Sequence, residues 1–224
     1  MLLLGINLKA QKIGIKAGAN FQTFMPDYAV NEPDYKFRVG WNIGITTKFN
    51  LSEKFSFQPG LIYNSKGTSL DDPSFGSDDF IRSAYTYLEL PLHIGYDFND
   101  KFFGYAGPYI ALGLGGDTYG MIDDVKIEKT KFVPESGTVN AGDLADDEVP
   151  YQLFDYGFNF GFGYNFSEKS AVTLDFSLGM RNINNEISDG VTITRDADDV
   201  KDFHRGVSIS YIFYFKRQIK EYEN

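Results

Sequence analysis

Apolar and polar positions alternate strictly in residues 154–166, which read FDYGFNFGFGYNF. Every even-numbered position from Phe154 to Phe166 holds Phe or Tyr, whereas Asp, Gly or Asn occupies each position between them. Side chains alternate between two faces only in a β-strand, so this pattern predicts a strand with one aromatic face. The stretch is longer than the typical globular strand of about 5 or 6 residues. It is typical of a strand that crosses a membrane in a β-barrel, which needs roughly 9–11 residues.

The same alternation recurs in seven further stretches, each with an apolar face that we place outward and a polar or small face that we place inward. In lipid, strands must close into a barrel so that every backbone group is hydrogen-bonded. We therefore predict an all-β fold, an eight-stranded antiparallel up-and-down transmembrane β-barrel. The predicted strands cover residues 12–24, 36–49, 54–66, 82–98, 101–115, 154–166, 170–182 and 202–216.

Short and long connections alternate between the predicted strands. Residues 50–53, 99–100 and 167–169 are tight polar turns, and residues 25–35, 67–84, 116–151 and 183–202 are long connections. Eight antiparallel strands then place all short turns at the end where both termini lie. This asymmetry is typical of outer-membrane barrels, which have short periplasmic turns and long extracellular loops. We therefore predict location in the outer membrane of a diderm bacterium, in contact with outer-membrane lipids.

Aromatic residues and prolines refine this prediction. Five phenylalanines flank the short turns, where a barrel carries an interfacial aromatic girdle. Three prolines fall inside predicted strands, where each removes a hydrogen-bond donor, so we expect them at bulges or irregular registers. The phenylalanines are Phe49, Phe55, Phe98, Phe102 and Phe166, and the prolines are Pro59, Pro91 and Pro108.

Charged residues occur on the predicted inward faces. Eight strands leave an interior just wide enough for side chains to fill, and unpaired buried charges are costly. We therefore predict that these charges pair and form a network, so that the interior is polar and plugged and has no wide pore. The inward charges are Lys16, Arg38, Lys48, Glu89, Asp97, Asp155, Asp175 and Arg181.

The chain ends differ from the predicted barrel domain, residues 12–216. Residues 1–11, MLLLGINLKAQ, look like the end of an apolar signal-peptide region, although no basic segment precedes it. We interpret them as a signal-peptide remnant, the alternative being an ordinary N-terminal arm. Residues 217–224 form a polar tail.

Composition removes several classes of function. The 224 residues carry a net charge of −10, which argues against a nucleic-acid partner. They include no cysteine, which excludes disulfides, Cys-ligated metals and Cys nucleophiles. Glycines at 113–116 do not precede a helix with a phosphate-binding signature, so no cofactor is expected. Acidic clusters at 123–124, 146–148 and 196–202 could suit calcium, but their spacing lacks the glycine and terminal glutamate of an EF-hand loop. Solvated loop charge is the favoured interpretation, and no metal site is predicted.

Two histidines are the candidate catalytic groups. His93 lies on an inward face, and His204 lies close in sequence to Ser208 and Ser210. No G-x-S-x-G motif or other nucleophile signature accompanies them, so a structural role is favoured and no catalytic residue is predicted.

Residues 87–92, YLELPL, are followed by Gly95 and Tyr96. This stretch resembles the YLEIPL strand of the PorT-like outer-membrane β-barrel family. The stretches GIKAGAN at 14–20 and GYAGPY at 104–109 are similar to the same family, and the resemblance extends over about residues 12–215. It implies an outer-membrane barrel of a diderm bacterium. Most members have no assigned activity and one namesake assists protein secretion, so the resemblance supplies no catalytic residues.

The leading hypothesis is thus a small non-enzymatic outer-membrane barrel that acts through its extracellular loops or as an envelope or secretion component with a protein partner. A soluble lipocalin-like ligand-binding barrel is the alternative, and it would require apolar residues inside. An outer-membrane lipid hydrolase that uses His204 and a narrow channel are lesser alternatives.

Overall fold

A computed structural model describes most of the chain. The described residues are 11–26, 35–70, 80–122, 125–127, 130–133, 139–140, 149–183, 187–188, 193–195 and 201–215. The predicted signal-peptide remnant, apart from Gln11, and the polar tail lie outside them, as do most of the acidic loop clusters. No helix in the described residues is long and apolar enough to cross a membrane.

Strands make up nearly all of the described chain. In chain order they are β1 (Gln11–Pro26), β2 (Tyr35–Asn50), β3 (Phe55–Leu70), β4 (Phe80–Asp97), β5 (Phe102–Ile122), β6 (Val125–Ile127), β7 (Thr130–Val133), β8 (Val139–Asn140), β9 (Val149–Gln152), β10 (Phe154–Ser167), β11 (Ser170–Gly179), β12 (Ile187–Ser188), β13 (Ile193–Arg195) and β14 (Asp202–Phe215). The eight long strands β1–β5, β10, β11 and β14 correspond to the eight predicted strands.

These eight long strands close into a barrel. Each pairs antiparallel with the next long strand along the chain, and β14 returns to pair with β1. The strands β5 and β10 pair directly across the longest connection, from Phe154 opposite Leu112 to Tyr164 opposite Phe102. The predicted eight-stranded up-and-down barrel is therefore confirmed. We call the end with the three tight turns the short-turn end and the opposite end the long-loop end.

The two faces of the strands have opposite chemistry. Outward side chains are apolar and remain exposed on the isolated chain, as at Ile45 (53%) and Phe162 (55%), whereas inward Asn20 and Ser210 are buried. Exposing so many large apolar side chains to water would be unfavourable, so the outer surface suits lipid. Aromatic rings cluster around the short turns, as predicted for a girdle: the ring contacts include Phe55–Tyr96, Tyr96–Phe98, Phe102–Tyr164 and Tyr164–Phe166.

Two strands continue by four residues or more beyond the long-loop end that their alternation predicts. The strand β3 ends at Leu70 rather than at 66, and β5 ends at Ile122 rather than at 115. Their extensions pair through polar residues, such as Thr68 opposite Ser83, so backbone hydrogen bonds continue where the apolar face ends. At Gly67 the backbone has φ of +145°, and a Cβ there would press on the carbonyl oxygen of Ser83.

The prediction that the strand prolines lie at bulges or irregular registers was wrong. Pro59 pairs in register with Leu92, and Pro91 with Tyr109. The register shifts of the barrel occur elsewhere, at positions 37–42, 86–87 and 165–167. A proline removes one donor without adding a residue, so the ladder skips a bond and keeps its register. The hydroxyl of Thr47 donates a hydrogen bond of 3.0 Å to the carbonyl of Pro59 beside such a gap.

The short strands extend the sheet at the long-loop end. Both β6 and β7 pair with β5, and β9 pairs in parallel with β7. The strand β8 pairs in parallel with β12, which in turn pairs with β13. The β8–β12 pairing joins the connection after β5 to the connection after β11, so two long connections meet through their backbones.

Candidate functional site

The barrel interior is filled from both ends by aromatic clusters. The cluster toward the short-turn end consists of Phe103, Tyr105, Ala171, Ile212 and Tyr214. The cluster toward the long-loop end consists of Phe24, Tyr85, Tyr87, Tyr109, Ala111 and Ile183, with Tyr151 packed against it. Polar and charged side chains occupy the space between the clusters, so this middle layer is the candidate functional site.

Lys66 lies at the centre of the main charge cluster. Its side chain is 0% exposed, and its Nζ lies 3.0 Å from Glu89 Oε2 and 3.1 Å from Asp155 Oδ2. The ammonium also lies 4.3 Å from the ring centre of Tyr109 and 5.3 Å from that of Tyr87. Cation–π contacts and two carboxylates together replace the water that a buried ammonium loses.

A second ion pair lies closer to the short-turn end. Lys16 Nζ, from β1, donates to Asp175 Oδ1 of β11 at 2.7 Å. The Tyr105 hydroxyl donates to the same oxygen, and the Thr173 hydroxyl donates to the other at 3.0 Å. Three strands thus supply hydrogen bonds to one carboxylate, which stabilises its charged form.

A third ion pair lies at the mouth of the short-turn end. Lys48 Nζ lies 2.7 and 2.9 Å from the two oxygens of Asp97. Both side chains line an open concavity of about 690 Å³ between the turns, together with Lys12, Glu53 and Glu168. The charges of both signs there face solvent, where single ion pairs contribute little to stability.

The two predicted inward arginines donate hydrogen bonds to residues of other strands. Arg38 Nη1 donates to Ser65 Oγ at 3.2 Å and to the Lys66 carbonyl at 3.4 Å. Arg181 Nη2 donates to Gln152 Oε1 at 2.7 Å. Both lie toward the long-loop end, where the barrel opens.

The structure thus brings six of the eight predicted charges into three separate clusters, each with a lysine. Lys66, at the centre of the largest cluster, is the residue that the sequence prediction missed. In the sequence pattern it is only the predicted last residue of its strand. Its even position places it on the same face as inward Asn64, so the parity of the strand was a sufficient signal.

Amide side chains connect the middle layer. Asn20 Nδ2 donates to Asn64 Oδ1 at 2.5 Å, and Asn42 Nδ2 donates to Asn20 Oδ1 at 2.6 Å. Asn64 and Asn159 then donate to the two oxygens of Glu89, at 3.2 and 2.9 Å. The chain of amides holds the Glu89 carboxylate in place against Lys66.

The histidines do not form a catalytic dyad with the nearby serines. The His204 Nε2 lies 3.3 Å from the Tyr87 hydroxyl, and its ring contacts Phe24 edge-on. At about 3.3 Å per residue, Ser208 and Ser210 lie roughly 13 and 20 Å further along the same strand. The His93 ring stacks on Tyr105. In the part of the chain that the structure describes, no three His, Cys, Asp or Glu side chains gather into a possible metal site.

Several solved structures are similar to this chain. Among solved structures, the chain is similar to the attachment invasion locus protein Ail of Yersinia pestis, with 10% identity, a TM-score of 0.39, and coverage of 90% of this chain and 98% of that one. It is similar to Neisserial surface protein A, with 10% identity, a TM-score of 0.43, and coverage of 92% and 100%. It is also similar to OprG from Pseudomonas aeruginosa, with 13% identity, a TM-score of 0.43, and coverage of 93% and 97%.

No protein with a curated description matches the chain. The family model described as "Outer membrane protein beta-barrel domain" matches residues 9–185, which is more than half of the chain. The chain therefore belongs to the outer membrane protein β-barrel domain family.

Proposed function

We propose that the chain is a small, non-enzymatic outer-membrane barrel with a plugged interior, which acts through its long-loop end or as an envelope or secretion component. The buried Lys66 cluster is the observation that carries this proposal. It lies across the interior between two aromatic clusters, and the described cavity between them has a volume of only about 40 Å³. A body closed in this way leaves the loops and the outer surface as the places where a partner can bind.

A finer assignment within the family follows from residues 87–92. Leu88, Leu90 and Leu92 alternate with Tyr87 and Glu89, which are buried inside the barrel at the Lys66 cluster. The stretch that resembles the PorT-like family is thus part of the plug. We further propose, from the resemblance of residues 87–92 rather than from their burial, that the chain is a PorT-like barrel with an envelope or secretion protein as its partner.

Spin labels test the membrane part of the proposal. A nitroxide at Phe160, on the outward face of β10, should be accessible to a lipid-phase quencher. A nitroxide at the neighbouring Asn159 should be shielded, because that side chain is buried. Accessibility at Asn159 in place of Phe160 would contradict the proposed orientation.

Crosslinking tests the partner. A photoreactive residue is introduced at exposed Asp117, near the long-loop end of β5, and the protein is isolated from intact cell envelopes. We expect a discrete crosslinked envelope protein. The same probe at Glu53, in a short turn, is the matched control for nonspecific capture. Equal products from both positions would contradict a partner at the loops.

The alternative functions have less support. The soluble lipocalin-like alternative is not supported, because the middle of the barrel is polar and the outer face is apolar. A lipid hydrolase based on His204 lacks a serine at hydrogen-bonding distance among the described residues. A narrow channel is also disfavoured, because the Lys66 cluster lies across the interior. We therefore expect the wild-type protein to produce no conductance steps in a planar bilayer.

A further inference from the structure

One cavity collects most of the unpartnered polar atoms of the barrel interior. Its volume is about 40 Å³, and it lies between the Lys16–Asp175 pair and Glu89. Four side chains that line it have buried atoms without a hydrogen-bond partner among the described residues. These atoms are Gln22 Nε2 and Oε1, His93 Nε2, Asn159 Oδ1 and Ser177 Oγ.

Their number and placement require an explanation. A buried donor or acceptor without a partner loses its hydrogen bonds to water and gains nothing in return, so such atoms are rare in folded proteins. Five atoms on four strands that converge on one space indicate that the space holds a hydrogen-bonding ligand.

The chemistry of these atoms defines the ligand. Gln22 Nε2 can only donate, whereas Gln22 Oε1 and Asn159 Oδ1 can only accept. The Ser177 hydroxyl can do either, so the ligand must both donate and accept. Because one water needs about 10–15 Å³ of cavity volume, the cavity of about 40 Å³ admits roughly three or four waters.

We propose that this cavity is a binding site for a small cluster of water molecules. The waters hydrogen-bond to Gln22, His93, Asn159 and Ser177, and they connect the Lys16–Asp175 pair with the carboxylate of Glu89. The middle of the barrel is then a hydrated compartment between two ion-pair clusters. This inference does not depend on the proposed loop or secretion function, because it concerns only the body of the barrel.

Nuclear Overhauser effects from water test the proposal. The wild-type protein is folded in detergent micelles with labelled isoleucine methyl groups. The Ile62 side chain lines the cavity, so its methyl signals should show cross-peaks with water. Ile183 is the control, because it is 0% exposed within the apolar cluster at the long-loop end and should show none.

A matched pair of variants identifies the source of the signal. Ser177→Val places methyl groups in the cavity and should remove the water cross-peak at Ile62. Ser170→Val is the control, because Ser170 lies on the same strand at the short-turn end, does not line the cavity and hydrogen-bonds through its hydroxyl to Ser167 there, so the cross-peak should remain. Unchanged backbone amide spectra establish that each variant is folded.

Two results would overturn the proposal. The first is the absence of a water cross-peak at Ile62 in the wild-type protein. The second is an equal cross-peak at Ile183, because water would then penetrate the whole interior rather than occupy one site. If Ser177→Val does not fold, the comparison of the two isoleucines in the wild-type protein still decides the question.

Discussion

Lys66 determines the charge balance of the barrel interior. It is fully buried, and its ammonium is shared by the carboxyl groups of Glu89 and Asp155. Desolvation of three charges is costly, and their mutual attraction offsets it only while all partners are present. The hydroxyl of Tyr109 donates to Asp155 at 3.1 Å and adds support. The cluster should therefore respond more strongly to loss of the lysine than any exposed ion pair in the molecule.

Lys66→Met should lower the free energy of unfolding by about 3–5 kcal/mol, because it leaves two carboxylates buried without their cation. Urea titration of the protein folded in lipid vesicles measures the change. Lys101→Met, in an exposed short turn, is the matched control and should change stability by no more than about 0.5 kcal/mol. Adding Glu89→Gln and Asp155→Asn to Lys66→Met should restore most of the loss. Equal effects of Lys66→Met and Lys101→Met would contradict the role assigned to Lys66.

On β10, aromatic residues face outward and glycines face inward, and the structure explains both choices. Its outward aromatic residues cover the surface, and Phe160 stacks on Phe176 of β11. Its inward glycines lie opposite aromatic residues of β5, whose rings fill the space that a side chain would occupy. The cross-strand pairs are Gly157–Tyr109, Gly161–Tyr105 and Gly163–Phe103. The glycines thus provide room for the rings that fill the barrel.

Gly161→Ala should destabilise the barrel, because the new Cβ would lie 2.7 Å from the Tyr105 ring and from the Leu174 carbonyl oxygen. Displacing the ring also weakens the hydrogen bond from Tyr105 to Asp175. Overpacking of this kind costs about 1–3 kcal/mol.

Gly104→Ala is the matched control for this prediction. It lies on the same pair of strands but faces outward, and its nearest neighbour is the exposed Phe98 ring at 3.2 Å. Urea titration in vesicles should place its midpoint close to that of the wild type. A loss equal to that of Gly161→Ala would indicate a general effect on the strand rather than a clash with Tyr105.

The number of strands, their order, and which side chains point outward could be predicted from the sequence, because all three follow from local patterns. Period-2 alternation identified each strand, and the lengths of the connections fixed which turns share an end. The extensions of β3 and β5 could not be predicted in this way, because beyond Lys66 and Gly115 the faces no longer differ in polarity. There the strands continue through backbone pairing alone.

The pairing of interior charges was less predictable than the strands. Parity places Lys16 and Asp175 inside, but their contact joins residues 159 positions apart and crosses from β1 to β11. It depends on the stagger of strands around the closed barrel, which alternation within one strand does not encode. The contact of Lys66 with Asp155 across the interior could not be predicted for the same reason.

Closure of the barrel depends on the pairing of β5 with β10. These strands are joined by the longest connection in the chain, so their contact is the least local among long strands that follow one another in sequence, and only the β1–β14 pairing spans more of the chain. Ala106 lies opposite Phe160 at this seam, on the outward face. Paired residues in an antiparallel ladder have Cα atoms about 4.5–5.5 Å apart, which lies within the range that a disulfide can bridge.

Cysteines at the seam should therefore form a disulfide in the folded protein. The chain has no native cysteine, so the double variant Ala106→Cys and Phe160→Cys contains a single possible pair. We expect mild oxidation to give a faster-migrating monomer on a nonreducing gel, and a reductant to reverse it. Ala106→Cys with Tyr164→Cys is the matched control: Tyr164 lies four residues further along β10, about 13 Å away, beyond the reach of a disulfide. Efficient crosslinking of the control, or its absence in the paired variant while the chain is folded, would show that β5 and β10 do not close the barrel in this register.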